Sequence, residues 1–256
     1  MRVGHRGASR GDRGFTLIEL MIALLIGVFL LGALLTIVQA NRTVFGDQNK
    51  MAQLQDGERM AMAMMSDVIQ SAGYFPTPTT NTSTGSLIAA APFAAGAAPF
   101  AAGQALDGVY SAGTPGDQIA IRYMTASGDN ILNCSGLPNT SGANVLYTNV
   151  FQVQQDASGN WQLTCTVNGL QYNLVSGVTN LSVLYGVKGN AGATGNSADT
   201  YMNASQVTAA GLWSSVISAM VQLTFTNPMY VANQGQPQTM IVQRVISVMD
   251  QSGPME

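Results

Sequence analysis

The sequence predicts an α+β chain: a long N-terminal α-helix, transmembrane in its first half, packs on an antiparallel β-sheet head domain. Three patterns predict this class, namely a nearly uncharged apolar run at 15–38, helical spacing of apolar residues through Ala72, and period-two alternation from Gly116 onward. Charged residues make up 9% of the chain, against about 25% in an ordinary soluble domain. This shortfall indicates the neutral polar surface of an exported protein.

The first 38 residues have the charge pattern of a membrane segment with a cytoplasmic N-terminus. Four arginines, at positions 2, 6, 10 and 13, precede the apolar run. A helix over 15–38 is about 36 Å long, enough to cross a hydrocarbon core of about 30 Å. By the positive-inside rule the chain after Asn41 lies outside, in an oxidising compartment. A cleaved secretory signal is disfavoured because the run is too long and lacks an A-x-A-like site.

Glu19 is the residue that a plain membrane anchor does not explain, since it is the one ionisable side chain in the run. A carboxylate near the bilayer centre costs roughly 2.5–3.5 kcal/mol, and such residues are usually paired and functional. The run contains no cation. Cleavage before Phe15 would create one, because the new α-amino group would lie one helical turn from Glu19.

Residues 13–20, Arg-Gly-Phe-Thr-Leu-Ile-Glu-Leu, resemble the processing motif of type IV pilins and type II secretion pseudopilins. The resemblance implies that prepilin peptidase cuts between Gly14 and Phe15 and that Phe15 becomes N-methylated. It also implies that Glu19 pairs with the free amine of a neighbouring subunit and sets axial register. Residues 1–14 are then a leader peptide, and residues 15–40 are the transmembrane and assembly helix.

The segment 41–73 is expected to continue this helix as an amphipathic stretch ending at Gly73. The apolar positions at helical spacing are Val44, Met51, Leu54, Ala61, Met65, Val68 and Ala72. Residues 74–115 are expected to form a low-complexity, mobile surface loop, since Ala-Pro-Phe-Ala-Ala-Gly occurs at 91–96 and again at 98–103. A tip contact through Phe93 and Phe100 is the alternative interpretation.

Residues 116–256 are predicted to form the β-rich head. A hairpin turn is expected at Asp156–Asn160. The strand candidates are 119–123, 145–147, 150–155, 161–167, 181–186, 218–226 and 240–249.

Several segments between residues 58 and 213 resemble the PilW group of minor pilins, and the resemblance implies a pilin-like fold. The residues that carry the resemblance are Glu58-Arg59-Met60, Ala72-Gly73-Tyr74, 178–186, Asp199-Thr200-Tyr201 and Trp213.

Cys134 and Cys165 are the two cysteines, and both fall in the exported part. A disulfide between them would close a loop of about 30 residues and add roughly 3–4 kcal/mol of stability in the chain-entropy model. The alternative is two separate thiols, with Cys165 packed in the core.

We do not expect this protein to be an enzyme. Its one histidine, His5, lies in the leader, and neither a Ser-His-Asp triad nor a Cys-His pair can form without a histidine. No cofactor or metal is expected. Removing residues 1–14 leaves six basic and twelve acidic residues, so general nucleic-acid binding is disfavoured.

The expected function is that of a minor pilin in type IV pilus assembly or initiation. Its expected partners are prepilin peptidase, other minor and major pilins, and the inner membrane, with the head periplasmic and later at the cell surface in the fibre. The alternatives are a type II secretion pseudopilin and a tip adhesin or DNA-uptake subunit that binds through residues 76–115.

Overall fold

The computed structural model describes residues 14, 16–188 and 197–249. Phe15 and residues 1–13 of the expected leader lie outside the described residues. The chain divides into two compact units, 1–50 and 51–256. The helices are α1 (Leu17–Gln70), α2 (Ser83–Ser86) and α3 (Ala204–Ala210). The strands are β1 (Leu106–Val109), β2 (Gln118–Thr125), β3 (Val145–Gln155), β4 (Trp161–Val167), β5 (Leu170–Ser176), β6 (Val178–Val187), β7 (Thr200–Met202), β8 (Val216–Thr226) and β9 (Thr239–Ser247).

The N-terminal unit consists of the first part of α1. Within the described residues, α1 is the one helix long and apolar enough to cross a membrane. Its large apolar side chains between Leu17 and Ile37 are each more than half exposed. A helix that is apolar on all sides requires an apolar environment, which a bilayer or neighbouring helices supply.

In the head unit, the second part of α1 packs on the β-structure. Ala61, Met65, Val68 and Ala72 are buried, as the helical spacing predicts, and share one core with both sheets. The helix ends before Gly73, whose φ of 82° lies in the left-handed region. The Gly73 N–H donates to the carbonyl of Arg122 at 2.9 Å and so ties the end of the helix to β2.

The strands form two antiparallel sheets, ordered β1-β2-β3-β4-β5 and β7-β6-β8-β9, rather than the one sheet that the sequence suggested. The sheets meet where Gly116 pairs with Leu181. There the Asp117 N–H donates to the Leu181 carbonyl at 2.7 Å, and the Leu181 N–H donates to the Pro115 carbonyl at 3.1 Å. A Cβ at position 116 would collide with the Leu181 carbonyl, so this close approach requires glycine.

The strand predictions differ from the structure in a few places. β4 has the predicted bounds, and the Asp156–Asn160 turn is present, with the Asp156 N–H donating to the Asn160 carbonyl at 2.9 Å. The candidates 145–147 and 150–155 are one continuous strand, β3. Strands β1, β5 and β7 were not among the candidates.

The segment 74–115 differs from the expected mobile loop, because it contains α2 and β1 and packs on the first sheet. Ala90 and Phe100 exchange two backbone hydrogen bonds, of 3.1 and 2.9 Å. Phe100 is only 2% exposed and packs with Ala120 and Val150. One large ring is enough to anchor a chain of small residues that approaches the sheet closely. The Phe100 side chain is therefore not available for a tip contact.

Candidate functional site

The start of α1 is capped by Thr16. The Thr16 carbonyl accepts from the N–H groups of Glu19 at 3.1 Å and Leu20 at 3.2 Å, and its hydroxyl oxygen lies 3.4 Å from the Glu19 nitrogen. The Leu20 bond is the first regular bond of the helix, and the Glu19 contacts provide acceptors for an N–H group that a helix leaves free at its first turn. The sequence analysis missed this role, although Thr-Leu-Ile-Glu has the spacing of a capping box.

Glu19 lies in the first turn of α1 with an exposed side chain. The partial positive charge of the helix N-terminus favours a carboxylate at this position. The ion pairs among the described residues are Lys50–Asp47 and Arg59–Asp56, so no cation in this part of the chain neutralises Glu19. A cation from outside the described residues, or from another chain, has open access to it.

Gly14 is exposed, and a Cβ built on it would have no neighbour within 4 Å. Open space around this residue is compatible with the approach of a protease to the bond that follows it. Phe15 lies outside the described residues. Cleavage after Gly14, methylation of Phe15 and the register role of Glu19 remain predictions.

The two cysteines form the expected disulfide, which confirms that prediction. Cys134, in the loop between β2 and β3, bonds to Cys165 of β4, with their Cα atoms 6.2 Å apart. Both residues are buried. The Cys134 N–H also donates to Asn149 Oδ1 of β3 at 2.9 Å, so the loop is fixed to the sheet by a covalent bond and a hydrogen bond.

The sequence analysis missed the buried charged groups of the head. Arg122, within the predicted strand 119–123, is fully buried. Its guanidinium lies over the Phe100 ring, 4.6 Å from the centroid, and donates to the Ile88 carbonyl. Burial lowers the pKa of Arg122 and raises that of Asp107 to about 6. No sequence signal identifies this burial, because it depends on the distant 88–100 segment.

No described group of three or more His, Cys, Asp or Glu residues is arranged to hold a metal ion. Arg122 and Asp107 do not form an ion pair, since the two pairs named above are those of the described residues. At the start of α1, the acidic side chain of Glu19 precedes an exposed apolar surface.

Two protein families match this chain. The prokaryotic N-terminal methylation motif matches residues 9–35, which include Gly14, Phe15 and Glu19. Type IV pilus-assembly protein W, PilW, matches residues 150–252, from within β3 to beyond β9. Together the two matches support a PilW-family prepilin-type pilin. No curated protein and no solved structure matches the chain.

The two matches lie in different units of the chain. The methylation motif covers the helix start, with its capped first turn and exposed Glu19, and the PilW match covers most of the two-sheet head. The long apolar helix and the prepilin motif together fit anchoring in the inner membrane and assembly into a pilus. The α+β pilin-like fold class predicted from the sequence is confirmed.

Proposed function

We propose that this PilW-family chain is a minor pilin that takes part in the assembly or initiation of type IV pili. It is cut after Gly14, methylated on Phe15 and inserted into the fibre through α1. One observation carries the proposal: the helix exposes apolar side chains on every side, and the carboxylate in its first turn has no cation in the described chain. When similar helices pack together in an apolar setting, they bury these apolar side chains, and a neighbouring chain supplies the cation.

In this proposal Glu19 sets the axial position of one α1 helix relative to a neighbouring helix in the fibre. The new α-amino group of a neighbouring subunit supplies the missing positive charge, and the pair forms at one axial offset between two helices. Desolvation of both groups offsets much of the Coulomb attraction. The contribution of the pair is therefore to select the register, while the apolar surface of α1 supplies the packing.

The proposal gives the chain a structural role without catalysis or a cofactor, with the N-terminus cytoplasmic and the head periplasmic before assembly. Its partners are prepilin peptidase and the other minor and major pilins. The match to PilW favours a pilus over a secretion system. The buried position of Phe100 removes one of the two aromatic side chains on which an adhesin interpretation of residues 76–115 depended.

The test is N-terminal sequencing of the protein from membrane and sheared-fibre fractions. We expect a mature N-terminus at N-methyl-Phe15 in both fractions, and we expect deletion of the gene to abolish twitching while secretion continues. A protein that retains its first fourteen residues in the fibre would overturn the processing step. Loss of secretion with normal pili would instead assign the chain to a type II secretion system.

A further inference from the structure

Strand β9 is a long, regular edge of the second sheet. It has nine residues and pairs with β8 along its whole length without a register shift. The other edge strands are less open: β1 is short and mostly buried, β7 has three residues, and β5 adjoins an irregularity in its pairing with β4. Edge strands are usually shortened, bulged, covered, or carry proline or charged side chains, because they otherwise recruit further strands. Described strand β9 has no proline, lysine or bulge, and Arg244 is its one charged residue.

The outward backbone groups of β9 can be assigned from two hydrogen bonds. The Val248 N–H donates to the Ile217 carbonyl, and the Asn227 N–H donates to the Gln238 carbonyl, both at 2.9 Å. In an antiparallel pair such bonds alternate along the strand, so the even-numbered residues of β9 bond to β8. The N–H and C=O groups of residues 239, 241, 243, 245 and 247 therefore point away from β8, and no backbone hydrogen bond among the described residues uses them.

The side chains of the same odd-numbered residues lie on the outer face of the sheet. Val245 pairs with Met220 of β8, which pairs with Leu184 of β6, so one apolar row crosses three strands and stops at the edge. Leu184 is 36% exposed and Val245 is 49% exposed. Ile241, two residues along β9, is 61% exposed. A strand added beside β9 would extend the row and cover these side chains.

Arg244 is the one charged residue of β9 and lies on the opposite face from Val245. Its guanidinium makes one polar contact within the described chain, to Ser66 Oγ at 3.4 Å, and no carboxylate there forms an ion pair with it. An added strand would bring its own side chains within reach of this cation. A carboxylate on that strand would supply the negatively charged partner that Arg244 does not have among the described residues.

We propose that β9 is a docking edge for an extended segment of another pilin subunit, which adds to the second sheet as a further strand. The segment carries apolar residues beside Ile241 and Val245 and a carboxylate beside Arg244. It is not β9 of a second copy, because β9 contains no acidic residue that could lie beside Arg244. The inference rests on the proposed function, since it takes the partner from the pilus.

The test replaces Gln243, whose N–H points outward. Gln243→Pro removes that N–H and blocks strand addition, while the bonds from β9 to β8 remain. Gln243→Thr is the matched control, because it also removes the contact of the Gln243 amide with Met220 Sδ at 2.9 Å but keeps the N–H. We expect the proline variant of the full chain to enter sheared fibres at least tenfold less than wild type, and the threonine variant to enter normally.

A photo-cross-linker at position 243 of the otherwise unchanged chain identifies the occupant and does not depend on how the proline variant folds. We expect a cross-link to an acid-containing extended segment of another pilin, mapped by mass spectrometry. A cross-link to a second copy of this chain, or no cross-link to a pilin, would overturn the inference, as would normal incorporation of folded Gln243→Pro. Absence of the wild-type chain from fibres would instead overturn the proposed function.

Discussion

Asp117 and Val183 join the two sheets of the head. Asp117 Oδ2 accepts the backbone N–H of Val183, on β6, at 2.8 Å, while Oδ1 accepts the N–H of Ser111 at 2.9 Å. Burial raises the pKa of Asp117, and these two hydrogen bonds partly oppose the increase. One buried carboxylate thus satisfies two N–H groups that would otherwise lack partners at the junction.

Replacing Asp117 with alanine should destabilise the head by about 2–4 kcal/mol, because it leaves two N–H groups without their acceptor. Urea unfolding of the full chain in detergent, followed by circular dichroism, measures this loss. Asp56→Ala is the control, since Asp56 is exposed and contacts only Arg59 across the helix surface. An unchanged midpoint for Asp117→Ala would show that water replaces the carboxylate at the junction without cost.

Asp107 should make the head less stable as the pH rises from about 4 to about 6. Burial raises the pKa of Asp107 from 3.8 to about 6 in the folded state. The unfolded chain therefore loses this proton at lower pH than the folded chain, so the free energy of unfolding falls across this window and is level above it. The full shift corresponds to about 3 kcal/mol, and screening by solvent reduces the loss to on the order of 1–2 kcal/mol.

Asp107→Asn checks this assignment, because it keeps an oxygen for the Gly108 N–H, which donates to Asp107 at 2.7 Å, and removes the titration. Unfolding midpoints measured between pH 4 and pH 7 should vary less in this variant than in wild type. Asp56→Asn, at an exposed carboxylate on the helix surface, is the control. Identical slopes for wild type and Asp107→Asn would contradict the assignment.

Removing the disulfide should destabilise the head by about 3–4 kcal/mol in the chain-entropy model. Cys134 and Cys165 are 31 residues apart, and opening this loop increases the freedom of the unfolded chain. The double variant Cys134→Ala, Cys165→Ala is compared with oxidised and reduced wild type by chemical denaturation. The double variant and the reduced protein should unfold at similar denaturant concentrations. A midpoint equal to that of oxidised wild type would rule out this contribution.

Phe100 should hold the 88–103 segment on the first sheet, and Phe93 should contribute less. Phe100 is buried against Arg122, whereas Phe93 is half-buried with its ring centroid 6.1 Å from that of Phe100. Phe100→Ala should cost about 3–5 kcal/mol and speed thermolysin cleavage within the segment. Phe93→Ala should change both quantities less. Equal cleavage rates in the two variants would contradict the anchoring role of Phe100.

Local patterns in the sequence indicate much of this fold. One of them, the turn before β5, was overlooked. The alternation of β4 and the turn after β3 predicted both elements, and Gly73 marked the end of the helix. Strand β5 was missed although Asn168-Gly169 precedes it, and both residues have positive φ, as a two-residue hairpin turn requires. Where a strand lies next to a recognisable turn, the residues of the strand and the turn are sufficient to predict it.

Features that depend on distant residues could not be predicted in this way. Arg122 is buried by Phe100 and Ile88, which belong to a segment whose composition indicated a mobile loop. The division into two sheets depends on the contact of Gly116 with Leu181, 65 positions along the chain. At the candidate site, the roles of Gly14 and Glu19 were predicted because their spacing is local, and the capping role of Thr16 was missed. The partner of Glu19 is not in the described chain.

Glu19→Gln and Thr16→Ala separate the two roles of the helix start. Glu19→Gln removes the charge at nearly constant size, so prepilin cleavage should continue while incorporation into fibres falls about tenfold or more. Thr16→Ala removes the hydroxyl that lies 3.4 Å from the Glu19 nitrogen and costs about 1 kcal/mol of helix capping. It keeps the charge, so incorporation should be close to normal. Immunoblots of membrane and sheared fractions measure both steps, and normal piliation with Glu19→Gln would show that register is set by apolar packing alone.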